Sequence, residues 1–467
     1  MKRNKLDIQP LLHSGLGRFY LAALLATLYG IDLSAQNLNL APRLVVNITI
    51  DQLRTDYLEH FAPLYKQDGF RRLLSEGRVY EAVEYPFSPV DRASAITCVA
   101  TGATPHYNKI IAQQWLNRKT LRPEYCVYDQ KTVVSPAHIA TSTVSDELKV
   151  STAGRALVFG IAQNQDAAIL SAGHAADGAF WIDERTATWT TSSYYPQTAQ
   201  SWVRAYNSVQ TAKKTDLVNN LVTTAALSCV TDNALGRDDI TDYLAVTLSA
   251  RLGEVMGQRQ EMEGVYTSLD ETLGHLITGI EEKIGKNQVL FVLTATGDTD
   301  EPEVDYQKYH IPTGTFYINR TSQLLNMYLS AVYGSGTWVE GYFKNQIYLN
   351  HKLIEDKKIS YSEIIQRSKD LLKMTSGVAS VSTSPYDTEI TGDLWVEVTP
   401  GWTILNEDTN TSYHARTAFV PFPVIFLGAN IKAEHVETQI TTERIAPTIA
   451  KCIHIRAPNA CSAKPLF

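Results

Sequence analysis

The residues best placed to do chemistry lie in loops that follow apolar, strand-like runs. Asp51 directly follows the run "RLVVNITI", and the loop "TATGDTD" follows the run "QVLFVL". Loops at the carboxyl ends of strands are where open α/β sheets keep their ligands and reacting groups. The second loop, however, offers only Thr296 and Gly297 before its first acid, Asp298. It stands where a catalytic site is expected, yet it has little with which to catalyse.

An acidic run begins in the same loop and could bind a cation. Its members are Asp298, Asp300, Glu301, Glu303 and Asp305. Carboxylate oxygens suit Ca²⁺, but the run lacks the turn glycine of an EF-hand loop. Acidic loops are usually just solvated, and that is the interpretation we prefer. Asp51 is likewise expected to be a satisfied buried carboxylate rather than a metal ligand.

The elements that must position these loops alternate between two kinds. Apolar, β-branched runs predict strands at 43–51, 166–172, 242–249, 288–295 and 422–428. Amphipathic stretches predict helices between them, notably at 55–76 and 257–286. This alternation predicts an α/β fold, a doubly wound and mostly parallel sheet sandwiched by helices. Two segments interrupt it, at about 183–241 and 305–406, and we expect both to be insertions that cap the functional edge.

The composition is that of an ordinary globular protein. The chain has 467 residues, 44% of them hydrophobic and 19% charged, with a net charge of -7. Mild acidity without a long Lys/Arg run argues against nucleic-acid binding. Five scattered cysteines, Cys98, Cys126, Cys229, Cys452 and Cys461, show no CxxC spacing, so a zinc-thiolate site is not expected. In an oxidising compartment Cys452 and Cys461 could pair, and the odd count leaves at least one thiol free.

The N-terminus has the three parts of a secretory signal. Lys2, Arg3 and Lys5 precede the apolar segment "FYLAALLATLYGI", and small residues suited to cleavage follow up to Ala35. The apolar segment is shorter than the ~20 residues that span a bilayer. We therefore predict a signal peptide over 1–35 and a mature domain over 36–467 without a transmembrane segment. The expected location is the periplasm or outer membrane, or outside the cell.

Longer stretches carry a family resemblance. "VVNITIDQLRTDYLEHF", "GFRRLLSEGRVYE", "ILSAGHAADGAFWID", "WVEGYFKNQIYLNHKLIEDKKIS" and "VPFPVIFLG" occur in this order. They resemble the secreted alkaline phosphatases of Gram-negative bacteria, in the nucleotide pyrophosphatase/phosphodiesterase branch of the alkaline phosphatase superfamily. The resemblance spans nearly all of 43–467. It implies an alkaline phosphatase-like core, and a family site with zinc ions beside a Thr or Ser nucleophile at the carboxyl edge of the sheet.

The zinc and nucleophile positions implied by this resemblance are mostly changed in this chain. The first ligand, in a D-Q-x-R pattern, is retained as Asp51. The nucleophile position, counted back from a Thr-Gly pair, holds Arg92, whose guanidinium stays protonated. The remaining family ligands are an Asp and a His in D-x-x-G-H, an Asp and a His in "TADHG", and a last His. Their positions hold Ala250 and Glu254, Thr296 and Gly297, and Pro421.

The positions that grip phosphate in the family are changed as well. A Lys and an Arg before "AIL" correspond here to Asn164 and Asp166, and a phosphate-binding Asn corresponds to Gln113. An aspartate in place of an arginine would repel phosphate. With these changes we expect no zinc, no other cofactor and a catalytically degenerate site. We also predict that Arg92 pairs with Asp51, so that a charge-assisted hydrogen bond replaces metal-ligand bonds.

Two functions are compatible with this sequence. The first is a pseudoenzyme that keeps the alkaline phosphatase fold and acts as a binding or scaffolding subunit in the bacterial envelope, with protein partners in an outer-membrane assembly or secretion complex. The alternative is a diverged hydrolase of phosphate or sulfate esters with a relocated metal site. Its ligands would come from Asp51 and Glu254, or from the cluster that begins at Asp298 and Asp300. Metal content and phosphatase turnover separate the two.

Overall fold

The structure is a computed structural model. It describes residues 40–209, 217–252, 254–255, 258–259, 261–299, 306, 308–384, 386, 389–414 and 420–467. The predicted signal peptide, Asp300 and most of the acidic run lie outside these residues.

The strands follow one another along the whole described chain. They are β1 (Leu44–Asp51), β2 (Arg78–Glu84), β3 (Gln114–Asn117), β4 (Arg122–Tyr125), β5 (Tyr128–Asp129), β6 (Val133–Val134), β7 (Val158–Ala162), β8 (Gly178–Asp183), β9 (Thr188–Thr190), β10 (Asp242–Ser249), β11 (Glu254–Val255), β12 (Gln258–Arg259), β13 (Val289–Ala295), β14 (Thr315–Tyr317), β15 (Val339–Phe343), β16 (Gln346–Leu349), β17 (Val378–Thr383), β18 (Leu394–Val398), β19 (Thr403–Asn406), β20 (Thr411–His414), β21 (Phe422–Gly428), β22 (Glu434–Val436) and β23 (Ile440–Thr441).

The helices lie between these strands. They are α1 (Thr55–His60), α2 (Phe70–Glu76), α3 (Arg92–Thr101), α4 (Pro105–Asn108), α5 (Val144–Ser151), α6 (Gln165–Ala172), α7 (Gln197–Val209), α8 (Val218–Asp232), α9 (Met262–Ile284), α10 (Ile318–Tyr333), α11 (His351–Asp356), α12 (Tyr361–Lys373) and α13 (Ile445–Cys452). Short 3₁₀ turns occupy Ala62–Leu64, Lys286–Gln288 and Thr442–Arg444.

The main sheet has the strand order β22-β2-β21-β13-β1-β10-β7-β8-β9, and β23 also pairs with β2. Strands β13, β1, β10, β7 and β8 run parallel to one another, whereas β21 runs antiparallel to both β13 and β2, and β9 runs antiparallel to β8. Every residue of β1 is buried, as expected for a central strand whose β-branched side chains pack on both faces. The predicted α/β architecture is therefore confirmed.

One predicted strand is wrong. Residues 166–172 belong to helix α6, and the strand of that region is β7, a few residues earlier. A short apolar run does not separate a strand from a buried helix by periodicity, and the alanines of "DAAILSA" favour helix. Gly160 on β7 lets the helix come close, because a Cβ there would lie 2.3 Å from the Ala168 carbonyl oxygen.

The long helices agree with the sequence in part. The stretch predicted over 55–76 is divided into α1, a 3₁₀ turn and α2, with Pro63 in the turn and Gly69 just before α2. A proline cannot donate within a helix and a glycine weakens one, so the amphipathic pattern breaks there. The stretch over 257–286 contains α9, which confirms a helix at that place.

The two expected insertions differ in how they pack. Apolar residues of α7 and α8, among them Val203, Tyr206 and Val222, pack in the main hydrophobic core. Strands β14–β20 and helices α10–α12 instead surround a second cluster that includes Trp338 and Ile347. We call these strands and helices the cap unit. The role of both segments as insertions that cap the functional edge stays a prediction.

Two further sequence expectations concern cysteines and membranes. The five cysteines carry free thiols, so Cys452 and Cys461 are not bonded to each other. Cys461 instead lies near the carbonyl oxygens of Glu443 and Ala463. In the part of the chain that the structure describes, no helix combines the length and the apolarity needed to cross a membrane.

Candidate functional site

Asp51 marks the carboxyl edge of the sheet, where β1 ends between β10 and β13. Its side chain is buried and accepts a 3.0 Å hydrogen bond from the Thr296 hydroxyl. Its carbonyl oxygen accepts from the backbone N–H of Ala250, at 2.8 Å. Gln52 has a positive φ of 63° and donates its own N–H to Thr296 Oγ1 at 3.1 Å. Asp51, Ala250 and Thr296, which the sequence placed in one site, therefore do meet.

Arg92 approaches Asp51 from the first turn of α3. That turn is fixed by Asp91, whose carboxylate accepts from the Ser94 N–H in a capping box. Arg92 Nη1 lies 3.5 Å from Asp51 Oδ2, so the predicted pairing with Asp51 is confirmed. Its stronger partner is Asp166, to whose two carboxylate oxygens Nε and Nη2 each donate at 3.1 Å. This two-point geometry is the strong form of an ion pair.

Asp166 is the centre of the hydrogen-bond network. The side chain is fully buried at the N-terminal end of α6, where the helix dipole favours a negative charge. Besides Arg92, it accepts from the Tyr125 hydroxyl at 3.0 Å and from the Gln113 amide at 3.4 Å. Asn164 stands at the N-cap position of the same helix without a side-chain capping bond.

The charged groups of this network shift one another's pKa values. Two carboxylates, Asp51 and Asp166, contact the Arg92 guanidinium, and the positive charge of Arg251 also acts on Asp51. Burial raises the pKa of Asp51, even though the Arg92 charge and the Thr296 hydrogen bond lower it. Burial works against the charged form of Arg92, but Asp166 and Asp51 together raise the Arg92 pKa above its usual range. Burial and then the Asp166 charge raise the pKa of Tyr125, so that phenol stays protonated.

Gly297 is closely surrounded by aromatic rings. Its φ is +64°, and a Cβ at this position would lie 2.8 Å from the Phe422 ring and 3.0 Å from the Tyr85 ring. Tyr85 is held in place by donating to the Ala295 carbonyl oxygen at 2.7 Å. A larger side chain at Gly297 would therefore have to displace these rings and also accept a left-handed backbone.

Three further positions were predicted from the sequence. Pro421 is exposed, and its carbonyl oxygen accepts from the Thr55 N–H at 2.9 Å. Glu254 lies in β11, and its side chain is outside the described part of the chain. Asp298 is partly exposed and accepts from the Thr299 N–H at 3.0 Å. Among the described residues, no group of three or more His, Cys, Asp or Glu side chains is placed to hold a metal ion.

Tyr125 and Tyr85 were not predicted from the sequence, and neither was Asp166 as the main partner of Arg92. Tyr125 lies on β4, and the antiparallel pairing of β3 with β4 places it opposite Gln114, beside Gln113. The hairpin pattern in "QWLNRKTLRPEY", with its polar turn, was the signal that could have placed Tyr125 next to Gln113. Tyr85 follows β2, and nothing local in the sequence directs its ring to Gly297.

The chain has relatives along almost its whole length. The family model for type I phosphodiesterase / nucleotide pyrophosphatase matches residues 45–419. Alkaline phosphatase PafA of Elizabethkingia meningoseptica is 25% identical, covering 93% of this chain and 96% of PafA. Alkaline phosphatase PhoV of Synechococcus elongatus is 26% identical, covering 91% and 92%. A Myroides odoratus protein named calcium-transporting ATPase is 26% identical, covering 91% and 94%.

Solved structures show the same fold. The crystal structure of wild-type PafA superposes with a TM-score of 0.78 at 23% identity, covering 91% of this chain and 98% of that one. Murine ectonucleotide pyrophosphatase / phosphodiesterase 5 gives a TM-score of 0.54 at 13% identity, covering 88% and 95%. The family match and the shared architecture together show that this chain belongs to the type I phosphodiesterase / nucleotide pyrophosphatase family, within the alkaline phosphatase superfamily.

Proposed function

We propose that this protein is a pseudoenzyme of the alkaline phosphatase superfamily, which binds other proteins in the bacterial envelope and does not hydrolyse phosphate esters. The observation that carries the proposal is the guanidinium of Arg92, held between the carboxylates of Asp166 and Asp51. Arg92 occupies the position that the resemblance assigns to the nucleophile. A guanidinium that is permanently protonated does not attack phosphorus.

The zinc ions implied by the superfamily do not fit the residues at this edge. Zinc needs several deprotonated nitrogen, sulfur or oxygen donors within ~2.0–2.3 Å. Asp51 is the one carboxylate retained from the inferred ligand set, and the positive charge of Arg92 stands 3.5 Å from it. An imidazole at Gly297 would meet the Phe422 and Tyr85 rings. We therefore assign no step of any reaction to zinc.

The charge of the network also disfavours a phosphate ligand. Asp166 replaces an arginine of the inferred phosphate site, and it is fully buried with its oxygens already engaged by Arg92, Tyr125 and Gln113. A phosphate dianion here would face two carboxylates. At an effective dielectric constant near 20, like charges ~4 Å apart repel by ~4 kcal/mol.

A binding role accounts for what the chain retains. The relatives align with nearly its whole length, and both the main core and the cap unit are closely packed. A fold is commonly retained after the active site that it carried has lost its chemistry. Placement in the envelope, in an outer-membrane assembly or secretion complex, rests on the signal-like N-terminus and stays a prediction. No cofactor enters this proposal.

A second candidate is a phosphoesterase with a relocated metal site. It is favoured by the relatives named alkaline phosphatase, which are about a quarter identical to this chain. Asp51 with Glu254, or Asp298 with Asp300, would then supply the ligands.

One experiment separates the candidates. The full chain is purified after expression with added zinc, and its metal content and p-nitrophenyl phosphate turnover are measured beside PafA. We expect less than one equivalent of zinc and no turnover above that of a buffer blank. Two equivalents of tightly bound zinc together with turnover would refute the pseudoenzyme proposal. Affinity purification from the native envelope, with proteins identified by mass spectrometry, then tests the binding role, and recovery of this chain alone would count against it.

A further inference from the structure

The hairpin of β3 and β4 connects two distant parts of the molecule. Its strands pair antiparallel from Gln114 opposite Tyr125 to Asn117 opposite Arg122. The N–H of Cys126 donates to the Gln113 carbonyl oxygen at 2.9 Å and closes the base. With ~3.3 Å per residue, strands of this length separate base and tip by roughly 13 Å.

The base of the hairpin is bound to the hydrogen-bond network of Asp166, Arg92, Asp51, Tyr125 and Gln113, which we call the closed site. Gln113, just before β3, and Tyr125, at the end of β4, both donate from their side chains to the Asp166 carboxylate. The backbone N–H of Gln113 also donates to Asp91 Oδ2 at 2.7 Å. Both strands of the hairpin are therefore fixed to the helix starts that hold Arg92.

The tip of the hairpin is bound to the cap unit through Arg118. Its Nη1 donates to Glu340 Oε1 at 2.7 Å and to the Leu349 carbonyl oxygen at 3.0 Å. Its Nη2 donates to the Thr391 carbonyl oxygen at 3.1 Å and to Asp393 Oδ2 at 3.0 Å. One guanidinium thus reaches several elements of the cap unit at once.

Asp393 makes this attachment rigid. Its side chain is fully buried, and besides Arg118 it accepts from the Leu349 N–H at 2.6 Å, His351 Nε2 at 2.5 Å and the Tyr361 hydroxyl at 2.6 Å. A buried carboxylate with this many donors has little freedom to move, because losing any partner leaves a desolvated charge poorly compensated.

The cap unit also touches the core without Arg118. Tyr386 and Trp395 pack within the main hydrophobic cluster. Removing the Arg118 side chain should therefore loosen the hairpin attachment and leave the cap unit docked, which makes the hairpin testable by itself.

We propose that the β3–β4 hairpin is a strut that couples the cap unit energetically to the Asp166 network, with Arg118 as the positioning residue. A partner that binds the cap unit would change the stability of the closed site, and a change at the closed site would alter the cap unit equally, because coupling between two sites is reciprocal. This inference goes beyond the proposed function and holds whether or not the site hydrolyses esters.

Hydrogen–deuterium exchange of the full chain, read by mass spectrometry, tests the strut. Arg118→Met should speed exchange about tenfold in β16 and β18 of the cap unit, and also at the hairpin base and in α6. Asp166→Asn should in turn speed exchange in β16. Arg320→Met is the matched control, since Arg320 forms an exposed ion pair with Glu407 of the cap unit and does not contact the hairpin.

The pattern of exchange decides the outcome. The proposal would be overturned if Arg118→Met sped exchange only in the cap unit. It would also be overturned if Asp166→Asn sped exchange only around the Asp166 network. Equal effects of Arg118→Met and Arg320→Met on exchange in α6 would likewise overturn it, because loss of an ion pair within the cap unit would then disturb α6 as much as loss of the hairpin contact. If Arg118→Met does not fold, Arg118→Lys keeps the charge but loses the forked geometry. Arg118→Lys should then speed exchange in the same strands and helix, by a smaller factor. An unchanged exchange rate in α6 would refute the strut.

Discussion

Replacing Arg92 by methionine keeps an unbranched aliphatic stem and removes the guanidinium, so the change tests the buried ion pairs themselves. The Arg92 side chain is 14% exposed and the Asp166 side chain is 0% exposed, so water does little to stabilise the carboxylate that the substitution leaves behind. After the substitution, Asp166 keeps the Tyr125 and Gln113 hydrogen bonds, and Asp51 keeps the attraction of the Arg251 charge, but both buried carboxylates lose their contact with the Arg92 guanidinium. Removing one partner of a buried pair typically costs about 3–5 kcal/mol of the free energy of unfolding. We expect a loss in that range at pH 7.

The matched control is Arg43→Met, which breaks the exposed ion pair with Asp239. Those side chains are 38% and 94% exposed, and such surface pairs contribute about 0–1 kcal/mol. Thermal and urea unfolding of both variants, followed by circular dichroism, give the comparison. Because unpaired buried carboxylates take up protons more readily, the loss in Arg92→Met should shrink as the pH falls from 7 towards 5. Equal stability of the two variants, or a loss that grows at low pH, would refute the reasoning.

Three further predictions follow from local geometry. Gly297→Ala should lower the free energy of unfolding by about 1–3 kcal/mol in urea denaturation, because its Cβ meets aromatic rings at a left-handed backbone; an unchanged midpoint would contradict this. His174 has both ring nitrogens on acceptors, and hydrogen bonding to Asp146 raises its pKa. The contribution of protonated His174 to the free energy of unfolding should be fully present below its unfolded-state pKa of about 6.5. It should disappear as the pH rises through the higher pKa of the folded state. NMR titration of the His174 ring, with His174→Gln as the control, checks this. Mass spectrometry after alkylation of the unreduced, unfolded chain should find Cys452 and Cys461 both modified; a disulfide between them would contradict the structure.

The central strands were predictable because their side chains alone determine them. β1, β10, β13 and β21 are continuous apolar runs rich in β-branched residues, which fit a sheet covered on both faces. The run at 166–172 was assigned wrongly, because the periodicity of a short apolar run does not separate a strand from a buried helix, although its alanines favour helix.

The sequence by itself determined the family, the core strands β1, β10, β13 and β21, and the residue types at the inferred site, including a guanidinium beside Asp51. These depend on local pattern and on order along the chain. Only the tertiary structure decided that Arg92 binds chiefly to Asp166, 74 residues away, and that Tyr125 completes the network. It also decided that aromatic rings surround Gly297. The physical reason is that the strength of a buried ion pair and the space around a glycine depend on which distant elements pack together, and a linear pattern does not specify those contacts.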